Sequence, residues 1–356
     1  MVKPSSLAVG FAILAAAASA ASRQTATPPI AIEPALIAST VNALGAVITR
    51  EYIDPDVASA LDARLKQALA DGRYNAATTA DALAGMLTRD LYEGSHDKHL
   101  AVGVIRETPP APGESTESRD RARALAVRRT NAGVRKIEIL PENVGYFELT
   151  NFFRPEEARD ALAAAMHTLS RADALIFDMR RNGGGSPGTI TFLASYLFDT
   201  PQLPLFDIVH RPPEPVDHYA TESTVPPERD ARRPVFVLTS KNTFSGGEGL
   251  PFLLQERHRA EVIGEVTAGA ANPGQPYPVN ARFTVTVPNG RIVSAVGGGN
   301  WEGAGVRPDV KTTAAEAFDV AYARALRLLI EREPAGAWRD TLERALRTLP
   351  AVARGM

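Results

Sequence analysis

The sequence predicts an α/β fold with a mostly parallel central sheet and flanking helices, preceded by a small N-terminal helical domain. Three observations carry this. Short, continuously apolar segments at Ala174–Asp178, Val235–Thr239 and Glu261–Glu265 have the character of strands buried on both faces. Helical patterns such as Pro155–Leu169 and Glu248–Arg257 lie between them, and an alternation of strand and helix folds into parallel pairs joined by crossovers. Before about Asp90 the apolar residues instead recur at three- and four-residue spacing, the period of helices.

Taken in order, Lys3 and the apolar run Leu7–Ala18, closed by Ala18-Ser19-Ala20, have the form of a cleavable signal peptide over residues 1–20. The run falls short of the ~20 apolar residues that a membrane span needs. Residues 21–33 form a small, polar leader. Residues 34–95 are read as three helices, with Leu36, Ile37, Val41, Leu44 and Ile48 on the first, Leu61, Leu65 and Leu69 on the second, and Leu83, Met86, Leu87 and Leu91 on the third. Residues 96–332 are the α/β domain, with a mobile loop expected at 107–126, where Pro109, Pro110, Pro112 and Gly113 interrupt regular structure. Within this domain Ile137–Leu140 and Val144–Leu149 read as strands. Phe283–Val287 and Arg291–Val296 are expected to form a β-hairpin around Pro288-Asn289-Gly290. Thr313–Glu331 reads as a closing amphipathic helix, and 333–356 as a helical extension.

Composition narrows the function. A formal charge of −2 with scattered basic residues gives no electrostatic footprint for nucleic acid. The chain has no cysteine, which removes a thiol nucleophile, a lipidated N-terminal cysteine and any disulfide framework.

Three segments carry residues suited to chemistry. In Thr243-Phe244-Ser245-Gly246-Gly247-Glu248 a buried strand runs through a polar turn into a helix. Ser245 then stands at the carboxyl end of a strand, where open α/β sheets place their sites. The amides of Gly246 and Gly247 at the helix start are placed to stabilise a developing oxyanion. The same position also suits a plain N-cap serine. A hydroxyl nucleophile needs a base. Of the six histidines, His96 and His99 lie at the junction between helical domain and first strand, whereas His210, His218 and His258 have surface-like surroundings and His167 lies in an alanine-rich helix. The third segment, Asp178 to Gly185, ends a strand in three glycines whose amides suit an oxyanion or a phosphate, but no Walker loop follows.

Together, Ser95-His96-Asp97-Lys98-His99-Leu100, Asp178–Gly185, Thr243–Glu248, Gly264–Gly274 and Asn300–Asp309 resemble, in order, the tail-specific or C-terminal processing serine peptidases. The branch containing interphotoreceptor retinoid-binding protein and the tricorn protease core is the nearer one. The resemblance implies a crotonase-like α/β core, Ser245 as nucleophile marked by Glu248, and His99 as base. It implies Glu302 as the acid orienting that base, with Glu256 a lower-ranked acidic candidate. The oxyanion hole would be formed by backbone amides of Gly246 and of Gly184 or Gly185. No metal or organic cofactor is implied, and the partner is a polypeptide substrate. Two positions depart from the pattern. Ala270 stands where the tail-specific branch has its lysine base, for which Lys241 is a poor substitute, and Lys98 stands where the tricorn-like branch has a serine. The segment between His99 and Val134 is too short for the PDZ domain of many tail-specific relatives. The retinoid-binding branch implies an alternative on the same fold, a non-catalytic binder of retinoid, fatty acid or peptide. The two readings part on whether serine, histidine and acid converge.

Overall fold

The computed structural model describes residues 32–106, 116–224 and 228–355. The expected signal peptide and nearly all of the leader lie outside these residues. The chain opens with helices α1 (Pro34–Glu51), α2 (Pro55–Ala70) and α3 (Ala80–Ser95), then strand β1 (Ala101–Val104) and helix α4 (Thr116–Arg129). It continues through β2 (Val134–Ile139), β3 (Val144–Leu149), α5 (Pro155–Thr168), β4 (Ala174–Asp178), α6 (Pro187–Ser195), β5 (Pro204–His210) and β6 (Asp217–Ala220). After β7 (Val235–Thr239), α7 (Gly246–Glu256) and β8 (Glu261–Gly264) come β9 (Gly274–Pro278), β10 (Phe283–Pro288), β11 (Gly290–Ser294) and β12 (Val310–Lys311). Helices α8 (Ala317–Arg332), α9 (Ala337–Thr348) and α10 (Ala351–Gly355) close the chain.

The principal sheet has the order β12-β8-β7-β4-β3-β2 and is parallel except for the antiparallel β2–β3 pair. β3, β4 and β7 are buried along their whole length, which explains their unbroken apolar sequences. One face packs on α5, α6 and α7 through residues such as Phe147, Phe177, Leu193 and Leu253. The other packs on α8, with Leu342 of α9 and Ala353 of α10 joining that core. The result is an α/β sandwich whose β4 and β7 are adjacent and parallel. The loops leaving their carboxyl ends therefore emerge side by side, and this places the site.

The helical region is not closed on itself. Leu44, Ile48, Leu61, Leu65, Leu83 and Leu87 share one core with Leu100 and Val102 near β1 and with Phe283, Val285 and Val287 of β10. These strands belong to a second sheet, β1-β10-β9. Residues nearly two hundred positions later thus complete the core of the first three helices. Helical periodicity reports which face is apolar and not what covers it, so the sequence-based division at residue 95 cuts through a single core.

Two further expectations are corrected. β10 and β11 do not form a hairpin: β10 pairs with β1 and β9, and β11 pairs with β5. The Asn289 and Gly290 amides both donate to the Pro273 carbonyl, at 3.2 and 3.3 Å. The chain is held there as it crosses from one sheet to the next. The expected loop at 107–126 is helical from Thr116 as part of α4, whose run of Arg, Ala and Leu residues has high helix propensity and no proline. Arg123 on α4 pairs with Glu157 on α5. Residues 107–115 lie outside the described set.

Because Phe283 is fully buried between the late strands and the early helices, Phe283→Ala is expected to destabilise the protein by about 3–5 kcal/mol. Denaturant unfolding of the variant against the unsubstituted protein measures this.

Candidate active site

Ser245 stands between β7 and α7 with φ 55° and ψ −128°, a backbone region that non-glycine residues rarely occupy and that costs about 1–3 kcal/mol. Glu248, one turn into α7 and fully buried, holds it there. Its carboxylate accepts the Ser245 amide at 2.9 Å, the Gly269 amide at 2.6 Å, the Ala270 amide at 2.9 Å and the Thr267 hydroxyl. Burial pushes the Glu248 pKa up even with these four donors in place. Glu248, read in the sequence only as a marker, is the clamp that ties the serine corner to the loop after β8.

The loop after β4 locks against the same corner. The Phe244 amide donates to the Asn182 carbonyl at 3.0 Å. At Gly184, with φ +98°, an added Cβ would lie 2.7 Å from the Ser245 Cβ. At Gly185, with φ +134°, it would lie 2.0 Å from the Phe152 carbonyl oxygen. Both positions therefore require glycine. Of the three amides expected to face an oxyanion, that of Gly184 is already taken, donating to Asn182 Oδ1 at 2.8 Å. Among the described residues the amides of Gly185 and Gly246 have no hydrogen-bond acceptor.

His99 arrives from the other core. Its Nε2 lies 2.9 Å from Ser245 Oγ, across 146 positions of sequence. Its ring packs on Phe244, with centroids 4.9 Å apart. The imidazole is 12% exposed, and this burial pulls its pKa down while the neighbouring Asp97 pulls it up. His99 is thus biased toward the neutral form, which can accept a proton. His96 instead ends α3 with φ 57°, its ring against Tyr92 and exposed; it does not reach the serine.

Two carboxylates approach the far side of the His99 ring. Asp97 Oδ1 lies 4.0 Å from His99 Nδ1 and accepts the His99 backbone amide at 3.0 Å. Its other oxygen accepts from Tyr52 Oη at 3.3 Å and Asn272 Nδ2 at 3.4 Å. Glu302 Oε2 accepts the amides of Ala271 and Asn272 at 2.6 and 2.9 Å. Among the described residues, Glu302 Oε1, His99 Nδ1 and Asn272 Oδ1 are buried without a partner. Asp97, His99 and Glu302 each offer a ligand atom within 4.8 Å of the others. Burial first, and then the Asp97 charge, push Glu302 up to about 7. Sequence reasoning missed Asp97. The available signal was its place two residues before His99, where a carboxylate can turn back onto the following backbone, as aspartates do in turns.

The remaining candidates lie elsewhere. Glu256, at the far end of α7, accepts from Ser294 Oγ. Lys98 is exposed and donates to the Ala268 carbonyl. Lys241 is exposed in the turn, its amide on Glu265. Ala270 is fully buried, its amide on Glu248 and its carbonyl accepting from Trp301 Nε1 at 3.0 Å.

A carboxyl whose folded pKa stands above its unfolded value of about 4.3 binds extra protons in the folded state, so stability is lost as pH rises toward the folded pKa. For Glu302 that window runs from about pH 4.5 to about 7. Glu302→Gln is accordingly expected to gain in Tm relative to the unsubstituted protein as pH rises from 5 to 8, as read by thermal melts across that range.

Residues 143–312 match the model of peptidase family S41, and residues 30–135 match that of the N-terminal domain of this family in eukaryotic IRBP. Among solved structures, the chain is similar to a lipoprotein from Streptococcus agalactiae, with 12% identity, 81% of this chain and 93% of that one covered, and a TM-score of 0.51. It is similar to a peptidase-like protein from Parabacteroides merdae, with 15% identity, 78% and 90% covered, and a TM-score of 0.52. It also resembles the tricorn protease, with 12% identity, 88% of this chain and 37% of that one, and a TM-score of 0.53. At these identities the solved structures speak for the fold, and the two family models speak for the lineage. The chain belongs to peptidase family S41, and it is a serine peptidase.

Proposed function

We propose that this peptidase cleaves exported polypeptides through an acyl-enzyme, with Ser245 as nucleophile and His99 as general base. The 2.9 Å contact between Ser245 Oγ and His99 Nε2 carries the reading, because a serine hydroxyl is a weak nucleophile until a base takes its proton. As Oγ attacks the scissile carbonyl carbon, its proton passes to Nε2, and the carbonyl electrons collect on an oxyanion. The unpartnered amides of Gly185 and Gly246 are the donors assigned to that oxyanion. Such donors typically contribute about 3–4 kcal/mol of transition-state stabilisation each. Collapse of the tetrahedral species expels the amine, which takes the proton from Nε2. Water, deprotonated by the same nitrogen, then releases the acyl group from Ser245.

Glu302 and Asp97 are positioning residues in this scheme. The charge of Asp97, joined by that of Glu302 once the pH exceeds about 7, lies on the Nδ1 side and stabilises the imidazolium formed when Nε2 takes the proton. The Asp97 oxygen lies 4.0 Å from Nδ1, and contacts of this kind tighten when substrate binds. Between β1 and β2 the described residues include α4 and no further strand. Substrate would accordingly be gripped in the cleft itself. Export is supported by the N-terminal pattern of Lys3, the apolar run Leu7–Ala18 and Ala18-Ser19-Ala20.

With an unfolded polypeptide as substrate, Ser245→Ala and His99→Ala are each expected to lower kcat by at least a thousandfold with melting temperature retained. Unchanged turnover in Ser245→Ala would reject the nucleophile. Because Asp97 raises the His99 pKa, Asp97→Asn is expected to move the acid limb of the kcat/KM profile to lower pH. A limb that stays in place would deny Asp97 any electrostatic contact with the base.

A further inference from the structure

The far side of His99 is unfinished as a hydrogen-bonding site. Its Nδ1, Glu302 Oε1 and Asn272 Oδ1 are all buried and unpartnered among the described residues. Asn272 is 8% exposed and its amide abuts Asp97, which is 2% exposed. Buried polar groups are nearly always satisfied, so an imidazole nitrogen and a carboxylate oxygen left open beside one another are suited to a shared ligand. That ligand must suit one imidazole nitrogen and two carboxylates, a set carrying up to two negative charges. Lys98, the nearest basic residue in the chain, is turned outward onto the Ala268 carbonyl.

We propose that Asp97, His99 Nδ1 and Glu302 form a zinc site whose occupation switches the peptidase off. One nitrogen and two carboxylate oxygens, with an open fourth position, are a donor set that zinc takes readily. The ligand atoms lie within 4.8 Å of one another. A tetrahedral ion with bonds of about 2.0–2.2 Å needs them roughly 3.4 Å apart, so the three side chains must draw together on binding. The outer contacts are already in place. Tyr52 and Asn272 donate to Asp97, and the amides of Ala271 and Asn272 donate to Glu302.

The consequence for activity follows from proton bookkeeping and rests on the assignment of His99 as base. When zinc takes the Nδ1 lone pair, the single proton of the neutral imidazole resides on Nε2. That nitrogen then faces Ser245 Oγ as a donor and has no lone pair to receive the hydroxyl proton. The metal creates no new chemistry here; it removes the base. A metal-free enzyme is active, and the bound ion acts as an inhibitor rather than a cofactor.

Two readouts test this separately. Calorimetric titration of zinc chloride into the purified Ser245→Ala protein reads the site without any turnover. One zinc per chain is expected, with affinity at least tenfold weaker in the Ser245→Ala background carrying either Glu302→Gln or Asp97→Asn. Melting curves without zinc verify that each variant is folded, and the two variants guard against the loss of one. Absence of binding, or equal affinity in both variants, overturns the site. In the active protein, zinc is expected to lower kcat and chelation by EDTA to restore it. Zinc bound at this site with kcat unchanged would overturn the switch. A protein inactive even after chelation that still binds zinc would instead count against the assignment of His99 and Ser245.

Discussion

The structure turns on one contact, the 2.9 Å hydrogen bond between Ser245 Oγ and His99 Nε2. Its two halves come from different cores. Ser245 belongs to the parallel sheet, at a corner where β7 passes into α7. His99 belongs to the turn between α3 and β1, whose position is set by the helices and by β10. The contact therefore reports how the two cores sit against each other, and anything that loosens their packing loosens the site. Phe244 against the His99 ring, and Asn272 and Asp97 behind it, stitch the same junction.

The serine corner bears a strained backbone, and its neighbours over-determine it. Glu248 fixes the Ser245 amide from inside α7, while Gly184 and Gly185 let the loop after β4 approach closer than any side chain permits. The departures from the family pattern fit the same frame. Ala270, which the resemblance matches to a lysine base, gives its amide to Glu248 and its carbonyl accepts from Trp301. That backbone is part of the wall of the site. Lys98 fastens the histidine turn to the Ala268 carbonyl.

Much of this was legible in the sequence. Buried strands announce themselves as apolar runs, and a polar turn followed by two glycines marks a strand-to-helix corner, so the sheet and the position of Ser245 could be read directly, its role as nucleophile only through the family pattern. His99 stood out against His96 only through the family pattern. The two differ by three residues, and nothing local says that one turns outward as the end of α3 while the other turns in. Asp97 was missed because a carboxylate beside a turn carries no mark of the far loop that closes on it. Gly184 shows a related limit: a glycine-rich strand end reveals that amides are exposed, but not that Asn182 claims one of them. The broken hairpin and the shared early core have a common cause. Both depend on pairings of Pro273 and Phe283 with distant chain, and local periodicity is blind to such partners.

Activation of Ser245 by His99 is the step on which catalysis depends. Reaction with a fluorophosphonate probe tests it most directly, since the probe phosphonylates only a serine whose proton a base can take. Mass spectrometry of the labelled protein is expected to place one adduct per chain on Ser245, with labelling abolished in His99→Ala. An adduct on another residue, or undiminished labelling of Ser245 without His99, would contradict it.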